Sequence, residues 1–231
     1  MRKLFSACML VVLSLFLFSC EKEKSFQDIE PGSGNNGGGS NTSGNYYPLT
    51  AGSWWKYKDS VTGVITTQTA TNVTKTIDNI LYTGLVGGTN GVQSPDTAWA
   101  AAAIPNYYLT AEGVSPNTGA SFDFAFHYLN DTASVGYNWQ YIAGQGNGFV
   151  SYIKTTIMER NITKTVAGKK YNNVIHTKLD FSYDIFGSVM HFATYDYYIA
   201  EGVGIIRIES ELFGAGLAFK SSGDLVDYHI E

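Results

Sequence analysis

The chain has little cysteine, and none of it lies where a folded domain could use it. Its two cysteines, Cys8 and Cys20, both occur within the first 20 residues. Everything after residue 20 therefore lacks a thiol. This excludes disulfides, thiolate catalysis and cysteine metal sites from the folded part.

The chain also lacks an excess of positive charge. It has 15 Lys and Arg against 20 Asp and Glu, with a formal net charge of −5, and the basic residues are scattered along the sequence. Phosphate binding needs a concentrated basic surface, so a nucleic-acid partner is excluded. Neither His-Glu-x-x-His nor Gly-x-Ser-x-Gly occurs, and we therefore expect no metal, no cofactor and no catalysis.

The N-terminus carries an apolar run that is too short to span a membrane. Arg2 and Lys3 precede about fifteen mostly apolar residues over 4–18, whereas a bilayer core of about 30 Å needs roughly 20. The run therefore predicts a cleavable signal over residues 1–19. The segment from Leu17 to Cys20 resembles a lipobox. This resemblance implies that Cys20 is the lipid-bearing first residue of the mature protein.

A Gly/Ser/Asn-rich stretch follows Cys20. Its composition cannot bury a core, so we expect a flexible tether over residues 20–45. The remaining residues, 46–231, are enough for a single domain with a sizeable core.

Residues 46–231 are rich in Thr, Tyr, Val, Ile and Phe, with turn residues every eight to fifteen positions. Segments such as 121–129 and 174–184 alternate apolar and polar residues, which is typical of half-buried strands. We predict an all-β, mainly antiparallel fold of ten or eleven strands. The sheet is expected to be strongly curved or an open barrel, with a two-sheet sandwich as the alternative.

Helical periodicity is nearly absent, so we expect at most one or two short helices. The one candidate is the alanine-rich segment 95–103. Ser94 could cap it, and Pro105 would stop it.

Three segments resemble a recurring pattern in Bacteroidota cell-envelope lipoproteins of unassigned function. Residues 46–57 read YYPLTAGSWWKY, residues 168–175 read GKKYNNVI, and residues 197–206 read YYIAEGVGII. The resemblance implies a lipid-anchored domain of the outer membrane, carrying palmitate among its acyl chains, and attaches no catalytic residues. Glu21, directly after Cys20, is similar to the charged surface-export signals of such proteins, which implies outward display, with the periplasmic leaflet as the alternative.

The histidines and acidic pairs are candidates for chemical sites. His127 with Asp123 and His176 with Asp180 have i,i+4 spacing, which in a strand separates them by about 13 Å, too far to share a metal. We expect these histidines to decorate a polar face. Glu209 and Glu211 share such a face and are interpreted as solvated charges and not as a glycosidase pair.

Aromatic residues are the main surplus, with 16 Tyr, 13 Phe and 4 Trp. Most must lie in the core. Some could form a rim or concave face that stacks on sugars or covers an apolar ligand. The candidates are Trp54, Trp99, Tyr107, Tyr108, Trp139 and Tyr141.

Three short Asp-Ser/Thr-apolar segments resemble the O-glycosylation sites of exported Bacteroidota proteins. The acceptor residues would be Ser60, Thr97 and Thr132.

The sequence thus predicts a non-catalytic, lipid-anchored cell-envelope protein that binds a glycan or a peptide. The alternative is a carrier that holds a lipid or another apolar molecule in the concavity of a curved sheet. A hydrolase of envelope glycans is a third class, which would need two acidic groups converging in a cleft.

Overall fold

A computed structural model describes residues 44–89, 92–114, 121–146, 149–214 and 217–231. The predicted signal, Cys20 and nearly all of the predicted tether lie outside these ranges. The described residues form twelve strands: β1 Trp54–Asp59, β2 Ile65–Ile77, β3 Ile80–Thr89, β4 Val92–Ala103, β5 Asn106–Val114, β6 Ser121–Asn130, β7 Asn138–Gly146, β8 Phe149–Val166, β9 Lys169–Ile185, β10 Ser188–Ala200, β11 Gly204–Gly214 and β12 Leu217–His229.

All twelve strands belong to one antiparallel sheet. Its order is β6-β5-β4-β3-β2-β1-β12-β11-β10-β9-β8-β7. Sequence neighbours are therefore also sheet neighbours, except that β1 pairs with β12 and the consecutive strands β6 and β7 form the two edges. The all-β, antiparallel prediction is confirmed, and the single sheet takes the place of the two-sheet alternative.

Side chains draw the two edges of this sheet together. The carbonyl of His127 on β6 accepts hydrogen bonds from Trp139 Nε1 on β7 at 3.2 Å and from Thr155 Oγ1 on β8 at 2.9 Å. The sheet is therefore strongly curved, but no backbone ladder closes it.

Strand alternation fills the inside of the curve with apolar side chains and rings. On β9, Ile175, Thr177 and Leu179 are fully buried, as the period-2 pattern of this segment predicts. Tyr128 of β6 and Tyr197 of β10 meet across the interior with ring centroids 5.8 Å apart. The described interior is thus a packed aromatic core.

The predicted short helix over residues 95–103 is wrong, because this segment belongs to β4. β4 is hydrogen-bonded to β3 on one side and to β5 on the other. Ala100 and Ala101 are buried, and Trp99 packs in a small second cluster with Ile77 and Tyr82. Pairing on both sides and this burial outweigh the modest intrinsic helix preference of alanine.

The meander gives the molecule two ends, which we call proximal and distal. At the proximal end lie Gly44, where the described chain begins, the segment 131–137 and the turns that lead from even-numbered to odd-numbered strands, apart from the β8–β9 turn. The distal end carries the two described turns from odd-numbered to even-numbered strands, 60–64 and 186–187. No helix in the described ranges is long and apolar enough to span a membrane.

The hairpin of β8 and β9 reaches across β10 and β11 to contact β12. Lys164 Nζ lies 3.6 Å from the ring centroid of Tyr198 on β10, and Lys169 Nζ lies 4.1 Å from that of Tyr228 on β12. Register shifts between Ile157 and Lys164 bend β8 on the way. We call residues 159–173 the β8–β9 arm.

Candidate functional site

The six aromatic candidates do not form one site. Tyr107 and Tyr141 are buried in the main core, and Trp99 is buried in the second cluster. Tyr108 and Trp139 are half-buried where β6 and β7 meet, while Trp54 lies on the outer surface of β1. Of the half-buried candidates, Tyr108 and Trp139 flank one side chain, that of His127.

His127 sits between these two rings and forms an aromatic stack with them. Its ring centroid lies 4.6 Å from that of Tyr108 and 4.6 Å from that of Trp139, with interplanar angles of 25° and 35°. His127 covers one face of each ring, and Tyr82 and Tyr137 lie beside Tyr108 and Trp139 with centroids 6.4 Å and 5.9 Å away. The stack thus links the two edges of the sheet.

Burial lowers the pKa of His127 to about 4, although the hydrogen bond of its Nε2 to the Leu129 carbonyl at 2.8 Å favours the protonated form. The neutral ring donates through Nε2 to that carbonyl. His127 is thus an enclosed part of the sheet closure and not the surface decoration predicted from sequence.

Tyr107 also has a structural role, because its hydroxyl holds the first described residues across the proximal end. Its hydroxyl lies 2.6 Å from the Gly44 carbonyl, 2.9 Å from Asp131 Oδ2 and 3.1 Å from the Tyr46 nitrogen. Asp131 is fully buried and also accepts from the Gly44 nitrogen at 3.1 Å. Desolvation raises the pKa of the Tyr107 hydroxyl well above its usual range, so it stays protonated.

A second polar network covers the outer surface of β8 to β12. His176, only 9% exposed, lies 3.0 Å from Glu159 Oε2 through Nδ1 and 2.7 Å from Asp196 Oδ1 through Nε2. Its ring stacks on Tyr198 at 4.4 Å. Both ring nitrogens are engaged, so neither is available as a metal ligand or a general base. Asp180, four residues along β9 from His176, is not among the hydrogen-bond partners of this ring.

Arg207 continues this network towards β12. Its Nε lies 2.7 Å from Glu209 Oε1, and its Nη1 lies 3.1 Å from Asp224 Oδ1. The second contact is close enough for an ion pair but lacks hydrogen-bond alignment, which leaves the buried Asp224 Oδ1 without a donor. Glu209 is therefore paired and not a freely solvated charge, and Asp224 keeps an open acceptor.

Two adjoining hollows lie over this network, and we call them together the outer groove. They measure about 380 Å³ and 650 Å³ and share Ser60. The first is lined by Ser60, Asp196, Arg207, Glu209, Ser210, Glu211, Lys220, Ser221 and Ser222. The second is lined by Lys58, Asp59, Ser60, Val61, Thr62, Gly63, Ala167, Asp224 and Val226. The turn after β1 and the tip of the β8–β9 arm form its walls.

Trp54 lies on the same outer surface as the groove, towards the proximal end. Its ring lies 6.2 Å from that of His229 at an interplanar angle of 25°, and Lys56 Nζ lies 4.5 Å from its centroid. Six residues along β1 separate Trp54 from Ser60, which corresponds to about 20 Å. Polar groups and one aromatic ring therefore follow one line on the outer surface.

The inside of the curve is lined by buried apolar side chains and rings. Both halves of the outer groove lie on the outside of the sheet. Inside, the Tyr128 hydroxyl and Thr177 Oγ1 are buried without hydrogen-bond partners, but rings surround them. Nor does the described part of the chain contain a cluster of three or more His, Cys, Asp or Glu side chains suited to a metal ion.

The predicted modification sites differ in accessibility. Ser60 is exposed in the turn after β1 and accepts a hydrogen bond from the Ser222 nitrogen at 2.8 Å. Thr132 is half-buried beside Asn130, whose Oδ1 accepts from its hydroxyl at 2.9 Å. The side chain of Thr97 and the whole of Cys20 lie outside the described residues.

Sequence reasoning missed the outer groove because its charges come from four different strands, β1, β10, β11 and β12. Alternation placed Glu209 and Glu211 on a polar face, but nothing in the sequence paired them with β10 and β12.

Comparisons with known proteins add no assignment. No protein-family model matches this chain, and neither the curated proteins nor the solved structures give a match. The resemblance to Bacteroidota lipoproteins stays a prediction from the sequence.

Proposed function

We propose that this chain is an envelope lipoprotein, anchored through Cys20 to the outer membrane and facing outwards, that binds a glycan in the outer groove without catalysis. The observation that carries the proposal is the floor of the groove. There, ionic side chains held by fixed neighbours are open to solvent beside serine hydroxyls.

Such a floor suits a ligand with many hydroxyl groups. Carboxylates accept hydrogen bonds, Arg and Lys donate them, and serine does both, so adjacent sugar hydroxyls can find matched partners. Because Arg207 is already fixed by Glu209, its remaining N–H groups are oriented before a ligand arrives. Trp54 supplies an aromatic ring about 20 Å away along β1, which fits an oligosaccharide better than a single sugar.

The same geometry favours a glycan over a peptide. Extended peptides commonly add to an unpaired sheet edge or place side chains in apolar pockets. The outer groove lies over strands β10, β11 and β12, which are paired on both sides, and its lining is mostly polar. The packed aromatic interior likewise gives no support to the carrier alternative.

A hydrolytic role finds less support, although Asp196 and Glu209 face each other across β10 and β11. Each carboxylate already contacts a basic side chain, His176 or Arg207. General acid catalysis needs a carboxyl group that is free to act on the ligand, and these contacts hold both carboxyl groups against basic neighbours.

The test is a glycan array followed by calorimetric titration of the best ligand. The protein would be the mature chain carrying Cys20→Ser, which removes the predicted lipid. Replacing Glu209 by Gln keeps the shape but removes a charged acceptor, and we expect a roughly 10- to 100-fold weaker Kd. Lys154→Gln, an exposed change on β8 outside the groove, should leave the Kd unchanged.

Two outcomes would refute the proposal. One is an array without any bound glycan while peptides bind to the groove. The other is an equal loss of affinity in the Glu209 and Lys154 variants.

A further inference from the structure

The distal end carries an unusual concentration of exposed apolar side chains. Of the fourteen large apolar residues exposed in the described chain, eight lie there, including both phenylalanines. They are Val61, Val64, Ile65, Val92, Phe186, Val189, Met190 and Phe219.

Phe186 is the most exposed of them, at 84%, and forms the tip of the β9–β10 hairpin. Ile185 pairs with Ser188, so Phe186 and Gly187 make a two-residue turn, both with positive φ, 50° and 87°. Asn-Gly is the preferred pair for such a turn, and a bulky residue at positive φ is rare. The Phe186 ring is thus exposed to solvent, and the positive φ of its backbone also disfavours a bulky residue. A contact of this ring with something outside the domain would explain both features.

The acidic residues of two distal turns face their own backbone. Asp184 Oδ1 accepts from the Gly187 nitrogen at 2.7 Å, and Asp59 Oδ1 accepts from the Val61 and Thr62 nitrogens at 3.0 and 2.6 Å. The carboxylates are therefore held against the backbone, while Val61 and Phe186 are exposed at the two turns. Strands β12 and β11 lie between the two hairpins in the sheet, and such separate apolar projections suit a soft apolar medium and not one complementary protein surface.

We propose that the distal hairpin tips insert into the lipid bilayer that holds the protein's own anchor. About 24 residues separate Cys20 from Gly44, which can span at most roughly 80 Å. The longest strand, β8, has 18 residues and is about 60 Å long, so the distal end can reach the same membrane. Tethering raises the local lipid concentration, so a weak insertion is sufficient.

The first experiment measures co-sedimentation of the unanchored mature chain, Cys20→Ser, with phosphatidylcholine vesicles. It therefore depends neither on the anchor nor on the glycan. Phe186→Asn installs the preferred turn residue, and we expect at least tenfold weaker vesicle binding with an unchanged or higher Tm. The control is Val135→Asn, at a site 59% exposed on the proximal end, which should bind like the parent.

The second experiment identifies the membrane. A thiol-reactive dye can label one introduced cysteine selectively, because no cysteine follows Cys20 in the sequence. A polarity-sensitive dye on Phe186→Cys in the lipidated chain should be quenched by brominated lipids placed in the same vesicles. Brominated lipids in separate acceptor vesicles should not quench it.

Equal vesicle binding of the Phe186 and Val135 variants would overturn the proposal. So would binding that occurs with native membranes but not with pure lipid, because the partner would then be a protein. Quenching only by acceptor vesicles would contradict the choice of the protein's own membrane.

Discussion

At the scale of single residues, Gly204 shows how the proximal end is sealed. It has φ +107°, and a Cβ at this position would lie 2.8 Å from Cδ2 of Tyr47. Tyr47 in turn packs on Trp55 with ring centroids 5.1 Å apart, and Trp55 Nε1 donates to the Val203 carbonyl at 2.7 Å. The missing side chain therefore lets the segment after Gly44 dock against the sheet.

We predict that Gly204→Ala lowers the free energy of unfolding by roughly 2–4 kcal/mol, because backbone strain adds to overpacking against Tyr47. Gly63→Ala is the matched control: its φ is +70°, but nothing lies within 4 Å of the added Cβ. The Gly63→Ala change should lower the free energy of unfolding by only about 1 kcal/mol. Urea unfolding of both variants measures the difference, and equal losses would argue against the contact with Tyr47.

At the scale of elements, the closure between β6 and β7 depends on a neutral His127. The pKa of this ring is about 4 in the fold and about 6.5 in an unfolded chain. Below pH 6.5 the unfolded chain therefore binds the proton more readily. The stability that His127 contributes is complete above pH 6.5 and is lost as the pH falls from 6.5 to about 4.

Lowering the pH from 7.5 to 5 should accordingly reduce the free energy of unfolding by about 2 kcal/mol, because the unfolded chain gains a proton at His127 that the folded chain does not. Urea unfolding of the parent and of His127→Phe, which keeps a ring between Tyr108 and Trp139, isolates the effect, because all other titrating groups are shared. The parent should lose about 2 kcal/mol more than the variant over this interval. The same pH dependence in both proteins would show that His127 is not buried as a neutral ring.

The strands also show where prediction from the sequence succeeded and where it failed. Alternation correctly identified the segments of β6 and β9 as strands, since a period of two depends only on local geometry. It failed at β4, where alanines suggested a helix and pairing with β3 and β5 decided otherwise. Propensity is a local quantity, whereas the burial of Ala100 and Ala101 depends on neighbours distant in sequence.

At the scale of the whole molecule, the curved sheet turns aromatic residues inwards and charges outwards. The sequence indicated an aromatic-rich β domain, but not that the ends of the chain pair as β1 with β12. That pairing, with β10 and β11 beside it, assembles Ser60, Arg207 and Glu209 around one groove. The six aromatic candidates were chosen by residue type, and type alone could not separate Tyr107 in the core from Trp54 on the surface.

The outer groove and the distal end share the turn after β1, whereas Arg207 and Glu209 line the groove along β11 and the Phe186 tip belongs to the β9–β10 hairpin, so the two proposed roles are compatible. Insertion of the tips would fix the orientation of the domain, and the groove on the outer surface of β10 to β12 would stay accessible. A domain that only recognises glycans would have no need for an exposed Phe186, and a domain that only contacts lipid would have no need for fixed ion pairs.

The most direct test of the central claim is amide chemical-shift mapping of the mature chain, carrying Cys20→Ser, with the best glycan from the array. The account predicts that the largest shifts fall on β11 and β12 around Glu209 and Ser222, with a smaller set near Trp54. Shifts concentrated at interior positions such as Tyr128 and Tyr197 would contradict it, because the ligand would then enter the curve of the sheet.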